Sequence, residues 1–128
     1  IQISDGVTSI GAFAFASCSS LMSIEIPVGV TTLELAAFNN CTLLKSIILP
    51  DSVISIDGAF DGCKSLSVYY KGSDREWELI AGTNNVPYPV YFYSEGEPAL
   101  NADGTDYNGN YWHYDTDGKT PVVWKKEN

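Results

Sequence analysis

Short apolar segments alternate with polar residues at regular intervals in the first half of the chain. An alternation of period two predicts a short strand with one buried face. A proline closes the first two segments, and because proline cannot donate a ladder hydrogen bond it predicts the end of each strand. The two prolines are 23 residues apart. The three predicted strands are Ile24-x-Ile26-Pro27, Ile47-x-Leu49-Pro50 and Val68-x-Tyr70.

A second element, Ala-Phe-x-x-Cys, recurs in step with these strands, at residues 14–18, 37–41 and 59–63. A leucine follows three positions after each cysteine, and the third copy is one residue shorter on each side of its leucine. Phenylalanine, cysteine and proline keep nearly constant mutual spacing, so the pattern indicates a structural repeat and not chance clustering of apolar residues.

Repeats of this kind bury a continuous core only when successive coils stack. Parallel strands then lie about 4.8 Å apart, and equivalent side chains lie over one another. We therefore expect Phe15, Phe38 and Phe60 to form one row. The Ala-Phe-x-x-Cys element is expected on the opposite side of the coil, as a tight turn of 3₁₀ or helical backbone.

The three cysteines, Cys18, Cys41 and Cys63, are expected to form a buried row of small apolar groups. An odd number cannot pair completely within the chain. No CxxC or CxxH spacing is present, which argues against a zinc site.

These elements resemble the BspA-like leucine-rich repeats, the bacterial surface-antigen type. The resemblance covers about residues 1–72, since the pattern I-G-x-x-A-F-x-x-C-x-x-L-x-x-I-x-I-P keeps its spacing there. It implies a leucine-rich repeat solenoid of three copies after a partial leading strand, Ile1-x-Ile3. It also implies a secreted or cell-surface protein of a host-associated bacterium, engaged in adhesion or protein binding. The third copy departs from the pattern, since Lys71 and Gly72 replace the proline, and this predicts the end of the array.

Residues 73–128 differ in composition, since every tryptophan and tyrosine lies at or after Tyr69. Ser73 followed by Glu76 predicts an N-capped helix, which Gly82 and the pair Asn84–Asn85 end. Residues 90–93 predict a strand. Residues 111–114 and 122–124 predict a β-hairpin around an Asp-Gly turn. Because the last coil of a solenoid exposes apolar core, we interpret this segment as an aromatic-rich cap, with Trp77 the first candidate to cover that end.

The strand register separates core residues from candidate binding residues. If Ile24 and Ile26 point inward, the intervening positions face outward on the concave side of the solenoid. A mixed polar and apolar column of this kind is typical of a protein-binding surface. Ile48 is of most interest, because an outward isoleucine has no explanation in the core. The candidate binding residues are Gln2, Ser23, Glu25, Ser46, Ile48 and Tyr69, with Ser67 in the same register.

The formal net charge of −9 argues against nucleic acid and anionic membrane surfaces as partners. No apolar run is long enough to span a bilayer. The single histidine, His113, stands among aromatic residues without a recognisable nucleophile motif, so we expect no enzyme activity. The acidic loops at 103–110 and 115–118 do not fit the EF-hand pattern. No cofactor or metal is therefore expected.

The sequence favours a non-catalytic extracellular binding module whose partner is a protein, from a host or at the cell surface. A carbohydrate-binding module is the alternative, with sugars stacking on Tyr111, Trp112 or Tyr114. Exposed aromatic rings would favour it, whereas buried rings would favour capping. A structural stalk for other domains is the third hypothesis. Because the first coil shows no polar cap, we also expect further repeats before residue 1, or another chain packed there.

Overall fold

A computed structural model describes residues 2–83 and 86–126 of the chain. The described residues form a β-solenoid whose C-terminal segment extends the larger of its two sheets. The strands are β1 (Ser9–Ile10), β2 (Ser23–Glu25), β3 (Thr32–Leu33), β4 (Ser46–Leu49), β5 (Ser67–Tyr70), β6 (Val90–Tyr93), β7 (Tyr111–Tyr114) and β8 (Pro121–Val123), and the helix is α1 (Asp74–Glu78).

The larger sheet has the strand order β2-β4-β5-β6-β7-β8. All neighbours are parallel except β7 and β8, which form the predicted antiparallel hairpin. Ile24 pairs with Ile47, and Ile47 pairs with Val68, so the three predicted strands are confirmed in the predicted register. The shortening of the third copy therefore lies in its turns and leaves the sheet register unchanged.

A second row of parallel pairing runs along another side of the coils. Strand β1 pairs with β3, and isolated bridges continue the row from Thr32 to Ser55 and from Ser55 to Ala81. Each coil is thus joined to the next by main-chain hydrogen bonds on more than one side, as stacking of one-coil units requires.

The predicted row of phenylalanines is confirmed. The ring centroids of Phe15 and Phe38 are 5.1 Å apart and those of Phe38 and Phe60 are 5.8 Å apart, with nearly parallel planes. The cysteines form a second row and are all free, but only Cys41 and Cys63 are buried as predicted, while Cys18 in the leading coil is half-buried. The Cys63 thiol donates to the Phe38 carbonyl at 3.1 Å, and burial raises the pKa of this thiol to about 11. Both rows therefore serve the core.

The convex turns use 3₁₀-type hydrogen bonds without forming a continuous helix. The Ala16 amide donates to the Phe13 carbonyl and the Cys18 amide to the Phe15 carbonyl. Two positions in each turn have positive φ, which interrupts helical backbone. In the third copy glycine occupies both of them. The residues concerned are Phe13, Ser17, Ala36, Asn40, Gly58 and Gly62.

Replacing Gly82 by alanine is expected to destabilise the protein by about 3 kcal/mol, because φ is positive and the coils approach closely there. A Cβ atom at this position would lie 2.6 Å from Cα of Asp57. Gly118→Ala is the matched control, since Gly118 also has positive φ but no neighbour within 4 Å, and we expect a loss of about 1 kcal/mol. Urea unfolding measures both, and equal losses would contradict the predicted steric effect.

The leading coil is less complete than its successors. Gln2 and Ile3 form no strand, and Ile1 lies outside the described residues. Ile3, Val7 and Phe15 are only partly buried, whereas the equivalent residues of the next coil are fully buried. These partly buried apolar side chains are therefore accessible at the leading coil.

The C-terminal segment continues the same sheet across the predicted boundary at residues 72 and 73. Helix α1 has the predicted capping box, since the Ser73 hydroxyl accepts from the Glu76 amide and the Glu76 carboxylate accepts from the Ser73 amide. Trp77 is 8% exposed and packs against the ring of Tyr70 at 5.2 Å. The segment therefore covers the last coil, with Trp77 in the expected place. The helix ends at Glu78 with Leu79 as its C-cap, earlier than the predicted end at Gly82 and the Asn84–Asn85 pair. That pair lies outside the described residues.

Nowhere in residues 2–83 and 86–126 does the chain form a helix with the length and apolar character needed to cross a bilayer.

Candidate functional site

The outward face of the larger sheet is the face that points away from the core, and it carries the candidate binding residues. Ser23 pairs with Ser46, and Glu25 pairs with Ile48, which pairs with Tyr69. The predicted column is thus in register. Its exposure falls along the sheet: Ser23 and Glu25 are exposed, as is Gln2 in the leading coil, while Ser46 is half-buried.

Ile48 corrects the prediction, because it is only 3% exposed although it lies on the outward face. Tyr69, next in the same column, is half-buried and stacks on Tyr91 at 5.4 Å. Burial raises the pKa of the Tyr69 hydroxyl. The outward face is therefore not an open surface over its whole width, and something covers it from β4 onward.

The covering element is the C-terminal hairpin, defined as β7, β8 and the turn Asp115–Thr120. Trp112 on β7 is 0% exposed and packs edge-on against Tyr69 with centroids 5.7 Å apart. Its indole N–H donates to the carbonyl of Tyr70 at 2.8 Å. For these contacts to form, the sheet must curve so that β7 lies over the outward face of β5. The C-terminal hairpin therefore covers one side of the solenoid as well as its end.

Glu25, Lys71 and Tyr114 form a cluster where the curved sheet brings β7 close to β2. The Lys71 ammonium and the Tyr114 hydroxyl each lie 3.2 Å from Oε2 of Glu25. The ammonium also lies 5.6 Å from the centroid of the Tyr114 ring. An ion pair this exposed contributes only about 0–1 kcal/mol. The cluster brings a residue of β2 and a residue of β7 into contact across the outward face.

The pKa values in this cluster follow from its geometry. Burial lowers the pKa of Lys71, but hydrogen bonds with Tyr114 and Glu25 and the nearby Glu25 charge outweigh burial and leave it raised. Burial is the main reason that the pKa of Tyr114 is raised. Lys71 therefore stays an ammonium and Tyr114 stays a neutral hydroxyl at physiological pH.

A cleft of about 640 Å³ lies between the outward face of β2 and β4 and the turn of the C-terminal hairpin. The first wall includes Ser23 and Ser46, and the second wall is formed by residues 118–121. Five of the six candidate binding residues line this cleft, and Tyr69 does not. The five are Gln2, Ser23, Glu25, Ser46 and Ile48.

The second wall of the cleft is held by its own hydrogen bonds. The Asp117 carboxylate accepts from the Thr120 hydroxyl at 2.6 Å and from the amides of Lys119 and Thr120 at 2.8 and 2.9 Å. These bonds, that of the Thr120 hydroxyl foremost, lower the pKa of Asp117 to about 2. The turn therefore presents Lys119 and Thr120 to the cleft from an ordered backbone.

The sequence did not predict this second wall or the contacts of Lys71 and Tyr114 with Glu25, although Tyr114 was a candidate for sugar stacking. We expected the aromatic segment to cover the end of the solenoid. We interpreted Lys71, which replaces the repeat's proline, only as a sign that the array ends. Two signals pointed to the wall. Trp112 and Tyr114 alternate on one face of a strand, and an outward Ile48 needed a cover.

The described residues lining the cleft include no histidine or cysteine. His113 is half-buried outside the cleft, with its ring 4.4 Å from that of Trp124 and Nδ1 2.9 Å from the Tyr114 carbonyl oxygen. Across the described ranges, no group of three or more histidine, cysteine, aspartate or glutamate residues could hold a metal ion. The cleft offers hydroxyl, amide and carboxylate groups for binding.

The aromatic residues predicted for sugar stacking are engaged with one another. Trp112 has no exposed ring face, and Tyr114 packs against it at 4.9 Å. Tyr111 is half-buried and donates to Asn108. Sugar stacking requires an exposed ring face, so these contacts favour capping over stacking at Trp112.

Comparison with known proteins agrees with the solenoid fold. Residues 1–73 match the BspA type leucine rich repeat region in six copies, a finer division than the three units of about 23 residues. Among solved structures, the chain is similar to a leucine rich cell surface protein from Faecalibacterium prausnitzii A2-165, with 38% identity and a TM-score of 0.62. The match covers 62% of this chain and 22% of that one, so the chain spans about a fifth of that relative's length. Among curated proteins, none matches. The chain belongs to the BspA type leucine rich repeat family.

Proposed function

We propose that this chain is a non-catalytic binding module, secreted or held at a bacterial cell surface, which binds a partner protein in the cleft. One observation carries the proposal: Gln2, Ser23 and Ser46 line a cleft without being needed for the core. The equivalent inward positions, such as Ile24 and Ile47, supply the core instead. The proposed location is supported by the similarity to a cell surface protein.

The size and walls of the cleft favour a narrow partner segment. Binding clefts of about 300–1,000 Å³ accept ligands of side-chain to short-peptide size. The cleft falls within this range at about 640 Å³. An adhesion partner would therefore insert a loop or tail between the sheet and the hairpin.

Replacing Ser46 by arginine is expected to weaken partner binding by about tenfold or more, because the long side chain would occupy the cleft. The measurement is capture of extracellular host proteins on the immobilised chain, followed by titration of the captured protein. The control is Ser65→Arg, which adds the same side chain at an exposed position outside the cleft. Ile48→Asp is unsuitable, because it would bury a charge.

Three outcomes would contradict the proposal. Equal capture by Ser46→Arg and the unaltered chain would place binding outside the cleft. No capture by either would favour the structural stalk. If the chain binds a glycan and Ser46→Arg abolishes that binding, the result would support the carbohydrate-binding alternative. The sugar would then contact the polar walls of the cleft and not Trp112.

A further inference from the structure

We infer that the cleft receives a basic side chain, arginine or lysine, from an exposed segment of the partner protein. The inference rests on the proposed function and names the partner's chemistry. It follows from the arrangement of one carboxylate, two apolar contacts and a fixed opposite wall around a single narrow space.

Glu25 supplies the charged end of the site. Its side chain is 43% exposed and lines the cleft. Within the described ranges, both the Lys71 ammonium and the Tyr114 hydroxyl contact Oε2. Oε1 is thereby left for a donor entering from the cleft. A guanidinium or ammonium group forms charge-assisted hydrogen bonds with a carboxylate oxygen, and these are stronger than bonds between neutral groups.

Ile3 and Pro121 supply apolar contacts on opposite walls. Ile3 lies in the leading coil and Pro121 in β8, both line the cleft, and both are partly exposed. Long basic side chains bury their methylene stem against apolar surface while the charged head reaches a polar partner. A short acidic or amide side chain has no such stem, so this combination of contacts favours lysine or arginine.

The charge of the whole chain favours a cation, because the charges at the cleft itself balance. The carboxylates of Asp5 and Glu25 and the ammonium of Lys119 line the cleft, and the Lys71 ammonium pairs with Glu25 from outside the lining. The whole chain carries a formal net charge of −9, which accelerates the approach of a basic partner and makes it sensitive to salt. The hydrogen bonds of Asp117 hold the opposite wall in place before binding, which reduces the ordering cost.

The test compares N-acetyl-arginine amide with N-acetyl-citrulline amide, which has nearly the same shape and no charge. Each is titrated into the ¹⁵N-labelled chain while backbone amide shifts are followed by NMR. We expect arginine amide to shift Ser23, Ser46 and Lys119, with at least about fivefold tighter binding than citrulline amide, and we expect added salt to weaken it. Equal binding of the two compounds, or shifts confined to other residues, would overturn the inference.

Two variants assign the effect to one carboxylate. Glu25→Gln should remove the preference for arginine amide, whereas Glu78→Gln, the same change on the exposed face of α1, should keep it. An equal loss in both variants would show a diffuse charge effect and overturn the inference. The comparison of the two compounds on the unaltered chain does not depend on either variant folding. If the inference fails while Ser46→Arg still abolishes partner capture, the cleft binds a partner of different chemistry and the proposed function stands.

Discussion

Trp112→Ala is expected to destabilise the protein by about 3–5 kcal/mol, as truncation of a buried aromatic residue typically does. The Trp112 ring is fully buried and contacts Tyr69, Tyr93 and Tyr114. Its N–H also donates to the Tyr70 carbonyl, so truncation leaves that buried acceptor without its partner. The same change should expose Ile48, because the hairpin loses its main anchor to the sheet.

Equilibrium unfolding in urea measures this loss, and methyl NMR of Ile48 with a soluble paramagnetic probe measures exposure of its side chain. The matched control is Trp124→Ala. That ring is half-buried and its N–H donates to the Ser94 carbonyl at 2.8 Å, so we expect a loss of about 1–2 kcal/mol. A loss below about 1 kcal/mol in Trp112→Ala, with unchanged access of the probe to the Ile48 side chain, would show that β7 does not lie over the outward face.

Phe38→Ala is expected to cost about 3–5 kcal/mol. Phe38 is fully buried between two stacked rings, so truncation would leave a cavity inside the row. Phe15→Ala provides the comparison. Phe15 is partly exposed at the end of the row, and we expect about half the loss because solvent already reaches one side of it.

Urea unfolding of both variants tests the row directly. Equal losses in Phe38→Ala and Phe15→Ala would contradict a stacked row whose end differs from its middle. They would also undermine the coil-by-coil description of the fold, because that description requires a graded exposure from the leading coil inward.

The repeat pattern was sufficient to predict the solenoid. Residues such as Ile24 and Ile47 recur at one spacing, so a single stacking rule fixes the strands, their parallel pairing and the row containing Phe38. The same rule fixed which residues face outward, and the register of Glu25, Ile48 and Tyr69 confirms it. The alternation within one strand predicts which residues face outward in every coil, because neighbouring coils repeat the same alternation.

Exposure of the outward residues could not be predicted in the same way. The alternation of residues in β7 predicts that Trp112 and Tyr114 share a face, but it does not predict how strongly the sheet curves. That curvature depends on contacts between residues far apart in sequence, such as Tyr114 with Glu25 and Trp112 with Tyr70. These pairs do not recur from coil to coil, so the repeat pattern could not predict them. Ile48 was therefore expected to be exposed and is buried instead.

The C-terminal segment joins the last coil through main-chain bonds, such as that from the Val68 amide to the Pro89 carbonyl at 2.9 Å. Pairing of this kind depends on backbone geometry, which every coil offers alike. A 23-residue unit added at a distance from this junction would therefore leave it unchanged. The number of coils can thus differ between relatives while the contacts that hold the C-terminal segment stay the same.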